Sequence, residues 1–447
     1  MKINLLITGL ILCMGFAISS IASNTDKDAK TFVAPKATPE INDKHKAAVP
    51  IAHEVPVTST YRFVKENENK IVDNDSTMSA FFEALYTLKA EAKDSTEVLS
   101  VVHIGDSHIQ AGYLTGRVMR NFQHEFGNAG RGLVVPLKLA RTNEPNDYFI
   151  TSTNQWKGGR LIQKNRTLPV GVGGIGVETQ SKAVNFTLRL GEKNGSGYEF
   201  NQITVFSDEK APVLDSDVAI DSVSNVTTDY SFAYKLRLDT LTDSIRLKGS
   251  CNTASSNPLY YGFSLENGSS GVLYHSIGIN GAHYADYVNS YAFKQTQVLA
   301  PKLIIISLGT NEAFGRNLKE TVLKYQIDET ISKIKQENPN SLLLITTPPE
   351  CYVKKRINKK VIYEPNAKVA KVRDVLIDYA KEKGIAYWDL YEVTGGKGSC
   401  KNWYSSKLMS RDRIHFTQDG YQLQGDLLYN ALISGYNEYV ANRNRLQ

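Results

Sequence analysis

The stretch Val101-Val102-His103-Ile104-Gly105-Asp106-Ser107-His108 presents one hydroxyl in a setting suited to chemistry. An apolar run ends abruptly in Gly-Asp-Ser, and an amphipathic segment follows. This reads as a buried strand, a tight turn and the start of a helix. Backbone N–H groups are unpaired at a helix start, and the dipole there favours developing negative charge. Ser107 is therefore a candidate nucleophile if a histidine elsewhere can take its proton. Taken alone, it reads better as a helix cap.

Three later stretches supply what such a serine needs. Gly278-Ile279-Asn280-Gly281-Ala282 and Gly309-Thr310-Asn311-Glu312 offer amide donors. Asp412-Arg413-Ile414-His415 offers a carboxylate with an imidazole three residues on. Held on a turn, Asp412 can accept from His415 Nδ1–H while Nε2 faces the serine, which is the need of acyl transfer. The backbone N–H groups of Ser107 and Gly281 and the side-chain amide of Asn311 can then meet an oxyanion. Each has a plainer reading. His415 could be a surface histidine, Asn311 a cap, and Gly281 a residue needed only for φ > 0. His108 adjoins Ser107, and neighbouring side chains diverge, so it reads as a wall rather than the base. His103, inside the strand, reads as a satisfied core residue. Asp106 reads as a brace for the turn.

The elements that must position these residues form two rhythms. Apolar strands are expected near 97–105, 271–279, 303–308, 342–346 and 385–390. Helices are expected near 78–88, 111–126, 283–298, 318–337, 365–383 and 419–440. Continuous apolar strands alternating with helices imply a parallel sheet covered on both faces. Ligand sites in such sheets lie beyond the carboxyl ends of the strands, where all four stretches fall. Residues 131–270 differ. Val184, Phe186, Leu188 and Leu190 alternate with polar residues, as do Tyr234, Leu236 and Leu238, which predicts antiparallel strands in a β-sandwich-like insert. Gly171-Val172-Gly173-Gly174-Ile175-Gly176 imitates a dinucleotide fingerprint but lacks the flanking strand and helix, so it reads as a glycine-rich loop. Trp156, Tyr260, Tyr261 and Trp403 could stack on sugar rings or simply pack.

At 447 residues, with 41% hydrophobic and 22% charged residues, the chain reads as globular with a sizeable core. A formal charge of +6, spread along the chain, gives no basis for nucleic-acid binding. The apolar run Ile3 to Ile21 and the exit Ile21-Ala22-Ser23 read as a signal peptide over 1–23, with an uncleaved anchor as the rival. Leu12 is too large to precede a lipoprotein cysteine at Cys13. Residues 24–60 read as a flexible tether. No later segment is apolar enough to span a membrane. The remaining Cys251, Cys351 and Cys400 are odd in number, so at least one thiol is free; Cys351 and Cys400 could pair or not. No Cys/His spacing resembles a zinc site.

The four stretches together, in order, resemble the SGNH (GDSL-type) hydrolase superfamily, over about 95–130 and 271–440. The resemblance implies a flavodoxin-like α/β/α sandwich with a five-stranded parallel sheet, built from 61–130 and 271–447. It implies Ser107, His415 and Asp412 as catalytic residues, Ser107, Gly281 and Asn311 as the oxyanion hole, and no metal or other cofactor. Two positions depart from the pattern: His108 stands where Leu is usual, and Glu312 where Asp is commoner. The first is similar to secreted peptidoglycan O-acetylesterases, which also join an SGNH domain to a β-rich, carbohydrate-binding-like module. The expected protein is an exported esterase, periplasmic or extracellular, removing O-acetyl groups from a polysaccharide or peptidoglycan. A lipid acylhydrolase, an O-acetyltransferase and a non-catalytic glycan-binding protein are the alternatives.

Overall fold

The computed structural model describes residues 60–90, 96–191, 197–226, 232–251, 257–288 and 292–446. The expected signal peptide and the tether, apart from its last residue, lie outside the described residues.

Five strands run parallel: Val98–Gly105, Gly271–Gly278, Leu303–Ser307, Leu342–Thr346 and Ala386–Trp388. Numbered by sequence, they lie side by side in the order 2-1-3-4-5, the flavodoxin-like order. The two-residue strand Ile71–Val72 adds an antiparallel edge beside the fifth. Val101, Val102, Ile104 and Leu303 to Ile306 are almost wholly buried. Strands buried on both faces need helices on both faces. Ser79–Ala90, Tyr113–Phe126 and Gln418–Leu446 pack together as one group, and Tyr284–Val288, Glu320–Glu337 and Ala367–Glu382 as another. The chain therefore has the SGNH hydrolase fold expected of it, with additional β-rich sheets.

The register brings the strand ends level. Gly105 pairs with Gly278 on one side and Ser307 on the other, Ser307 with Thr346, and Thr346 with Trp388. Every loop that leaves this row starts from one edge of the sheet. The order reverses between the first and third strands, which opens the crevice where ligands bind in such sheets.

The β-rich sheets come from strands between Gly132 and Glu266, in one seven-stranded and one four-stranded antiparallel sheet. Alternation decides the faces: Val184, Phe186, Leu188, Leu236 and Leu238 are buried. Phe186 of the smaller sheet meets Tyr260 and Phe263 of the larger at 5.0 and 5.2 Å between ring centroids, so the sheets face one another. Gly171–Gly176 turns back into the strand Ile175–Glu178, not into a helix.

Some elements differ from expectation. The helix expected over 111–126 begins earlier and is broken. Ser107–Gln110 forms one turn, and Gly112, at φ 75, redirects the chain into Tyr113–Phe126. The helix expected near 283–298 is two short helices, Tyr284–Val288 and Ala292–Thr296. A hairpin, Tyr352–Ile357 and Lys360–Pro365, projects after the fourth strand where no strands were expected. Tyr260, Tyr261 and Trp403 are core residues, and Trp156 is half-buried against Phe186. Cys351 and Cys400 are buried free thiols.

Candidate active site

Ser107 is the first residue of its helical turn, and its placement follows from two close approaches. A Cβ at Gly105 would lie 2.3 Å from Ile109 Cγ1 and 2.7 Å from the Ser307 carbonyl oxygen. A Cβ at Gly278 would lie 2.0 Å from Gln110 N. Only with glycine at both strand ends can this turn sit directly on the row. Asp106 caps it by accepting from His108 N–H at 2.9 Å. Burial pushes the Asp106 carboxyl up to about 7, and buried Glu312 nearby adds to the rise.

His415 reaches the serine from a loop 308 residues further on, with Nε2 2.9 Å from Ser107 Oγ. Nδ1 lies 2.7 Å from Asp412 Oδ2, while Asp412 Oδ1 accepts from the N–H groups of Ile414 and His415 at 2.9 and 3.0 Å. Burial would raise the Asp412 carboxyl, but these hydrogen bonds outweigh it and hold it below its ordinary value. The loop closes on itself. Ser410 N–H donates to His415 O, Thr417 N–H to Leu408 O, and Met409 bridges Phe416. The final helix seats directly on it, since a Cβ at Gly420 would lie 1.9 Å from Leu408 O.

His108 and His103 sit elsewhere in chemical terms. His108 is buried, with Nδ1 3.0 Å from Tyr421 Oη and its ring 5.3 Å from that of His415. Burial, with His415 beside it, pushes its pKa down to about 3. It is a neutral wall behind His415. His103, also lowered to about 3 by burial, bridges Tyr274 Oη and Ser307 Oγ at 2.7 and 2.6 Å.

The remaining expected residues converge on the same crevice. Gly281, at φ 81, is held by its backbone and not by crowding: a Cβ there would meet only Ile162, at 3.8 Å. The N–H groups of Ser107 and Gly281 have no protein acceptor among the described residues. Asn311 is the second residue of a short helix, Thr310–Phe314, beyond the third strand. Its Nδ2 donates to Ala282 O at 3.0 Å and to Asp106 Oδ2 at 3.2 Å, so both of its hydrogens have protein acceptors. Glu312 accepts from Tyr284 N–H at 2.8 Å, and burial raises its carboxyl.

Several contributors escaped the sequence reading. Gln110 and Asn280 tie the crevice to the β-rich region. Gln110 Nε2 donates to Thr142 Oγ1 and Asn143 O, and Asn280 Nδ2 to Asn143 Oδ1. Arg413, at φ 57, sends its guanidinium among Tyr352, Tyr363 and Tyr404. The φ > 0 of Arg413 has no signal in its residue type. Nothing in the sequence joins Tyr352 and Tyr363 to it before the hairpin is known.

Residues 242–423 match the model of the GDSL-like lipase/acylhydrolase family. The match takes in Gly281, Asn311, Asp412 and His415, and Ser107 lies before it. No curated protein matches the chain. Among solved structures, one titled as a peptidoglycan O-acetylesterase in action superposes with a TM-score of 0.67 at 20% identity, over 82% of this chain and 99% of that one. A putative acylhydrolase of Bacteroides fragilis and a GDSL-like lipase of Bacteroides thetaiotaomicron, each 19% identical, cover 36% of this chain and 76% of their own, with TM-scores of 0.27 and 0.28. The family match over 242–423, with the strand order that completes the sheet around it, makes this part of the chain similar to the GDSL-like lipase/acylhydrolase (SGNH hydrolase) family and supports an esterase.

Proposed function

We propose that the protein is an exported serine esterase that removes O-acetyl groups from a polysaccharide, with peptidoglycan the leading substrate. The observation that carries this reading is the chain of contacts Ser107 Oγ to His415 Nε2 at 2.9 Å and His415 Nδ1 to Asp412 Oδ2 at 2.7 Å. Ser107 Oγ attacks the ester carbonyl as His415 Nε2 takes its proton. Asp412 fixes the tautomer and stabilises the imidazolium. The N–H groups of Ser107 and Gly281 meet the oxyanion. Asn311 Nδ2 joins them by giving up its weaker contact to Asp106. The tetrahedral intermediate collapses, the sugar hydroxyl leaves with the proton from His415, and the acyl group stays on Ser107. Water, deprotonated by His415, then releases acetate and restores the serine.

Two features favour a polymer. The side chains of His415 and Asp412 are 39% and 48% exposed, so a bulky chain can reach them. The fold-level likeness to a peptidoglycan O-acetylesterase supports that polymer in particular. The apolar run from Ile3 to Ile21 supports export to where such a polymer lies.

The test is acetate release from O-acetylated peptidoglycan and from aryl acetates by purified protein. Ser107→Ala should lower kcat by about 10⁴-fold or more while leaving the unfolding midpoint in place. Undiminished release by that variant would sink the nucleophile assignment. Turnover of long-chain esters with none of acetylated polymer would replace the reading by lipid acyl hydrolysis.

A further inference from the structure

The hairpin Tyr352–Ile357 and Lys360–Pro365 pairs with no other sheet among the described residues. Asn358 and Lys359, at φ 49 and 64, form its turn. It carries Lys354, Lys355, Arg356, Lys359 and Lys360, all exposed, against the single carboxylate of Glu364. Lys355 pairs with Glu364, and among the described residues no carboxylate pairs with the other four. Crowded like charges repel one another, so such a ribbon costs stability until an anion meets it.

The ribbon is anchored on the loop of the proposed base. Tyr352 N–H donates to Arg413 O at 2.9 Å. The Arg413 guanidinium lies 5.9, 4.8 and 4.1 Å from the ring centroids of Tyr352, Tyr363 and Tyr404. The pairing register puts Tyr352, Lys354, Arg356, Val361 and Tyr363 on one face. The two tyrosines of that face hold Arg413, next to Asp412. The same face continues outward through Lys354 to Arg356. At about 3.3 Å per residue the two cations stand about 7 Å apart, in a line leading away from the site.

We propose that this face is an anion-reading arm, which binds carboxylates of the glycan strand whose ester lies at Ser107. This rests on the esterase reading and narrows its substrate to acetylated glycans that carry carboxylates, as peptidoglycan does on its stem peptides. A single file of cations continuous with the catalytic loop suits a linear polyanion. An anionic membrane is the other surface that could take these charges, but it would have to lie across the mouth of the site.

The experiment uses the full chain with Lys354→Glu and Arg356→Glu combined, and with Lys354→Gln and Arg356→Gln as the neutral pair. Binding is read by co-sedimentation with insoluble peptidoglycan stripped of its acetyl groups by mild alkali. Wild type should pellet, and added salt should release it. The charge-reversed variant should bind about tenfold or more weakly, with the neutral variant between them and with equal unfolding midpoints throughout. On acetylated substrates, the ratio of peptidoglycan to aryl-acetate turnover should fall about tenfold through KM, while that for acetylated xylan, a neutral backbone, should not. Equal pelleting of all three proteins would overturn the arm, as would charge-dependent binding to vesicles of anionic phospholipid with none to peptidoglycan. Wild type that binds the polymer but releases no acetate would overturn the esterase reading and leave the arm standing.

Discussion

Two imidazoles lie near Ser107, and their surroundings differ. His108 is buried, lowered to about 3, and neutral at any pH near 7. His415 is half-exposed, with the Asp412 carboxylate on Nδ1 and Ser107 Oγ on Nε2. Asp412→Asn should therefore lower kcat on an aryl acetate by about 10⁴-fold, by favouring the wrong tautomer, with no large change in stability. Retention of even a tenth of the rate would show that the imidazole is oriented by something else. Ser107, Gly281, Asn311, Asp412 and His415 could be picked out as candidates from the sequence because reactive residue types sit together at strand ends, and the structure brings them to one crevice. The resting contacts of Asn311 to Asp106 and Ala282 were not legible in the sequence, because they depend on side-chain positions set by two loops meeting. Nor was the rise of Asp106 to about 7, which depends on burial and on Glu312, 206 positions along the chain.

At the scale of elements, the site is held by backbone crossings at glycines. Gly420 is the sharpest case, with Leu408 O where a Cβ would be, at 1.9 Å. Gly420→Ala should push the start of the last helix off the loop that carries His415. We expect kcat to fall by about 10²-fold for a displacement near 1 Å, with a loss of about 1–3 kcal/mol in urea unfolding from overpacking. Full activity would mean that the loop and helix move independently. Strands and long helices were legible because their apolar residues keep one period over many residues. The hairpin was not, since its exposed strands bury little and alternate weakly. The broken helix was not either, because Gly112 redirects the chain over only a few residues.

For the whole molecule, buried titratable groups set the response to acid. His103, His108 and His275 are each lowered to about 3, chiefly by burial. Unfolded, each takes up a proton below about pH 6.5; folded, none does until about pH 3. The unfolded chain binds more protons in that window, so stability drops as pH falls, by about 1.4 kcal/mol per unit for each imidazole. Buried Asp106 and Glu312, both raised, act in the opposite sense: the stability they add is present in acid and is lost as pH rises towards their folded values. Glu144, Asp208 and His283, also raised, act in the same sense as these carboxyls. The share of one imidazole is read by difference: His103→Asn should make the urea midpoint fall less steeply, or rise more steeply, as pH drops from about 6.5 to 4.5 than in wild type, and an identical pH dependence would contradict the burial of His103 as a neutral imidazole. The separation of Ser107 from His415 by 308 residues carries a consequence in time. A growing chain carries the serine early, while the strands that flank its turn, Gly271–Gly278 and Leu303–Ser307, come later. The proposed nucleophile then has no partner until the loop before the last helix is synthesised and docked. On the proposed mechanism, an unfinished chain therefore carries only an alcohol, and hydrolysis waits for the last segment of the fold.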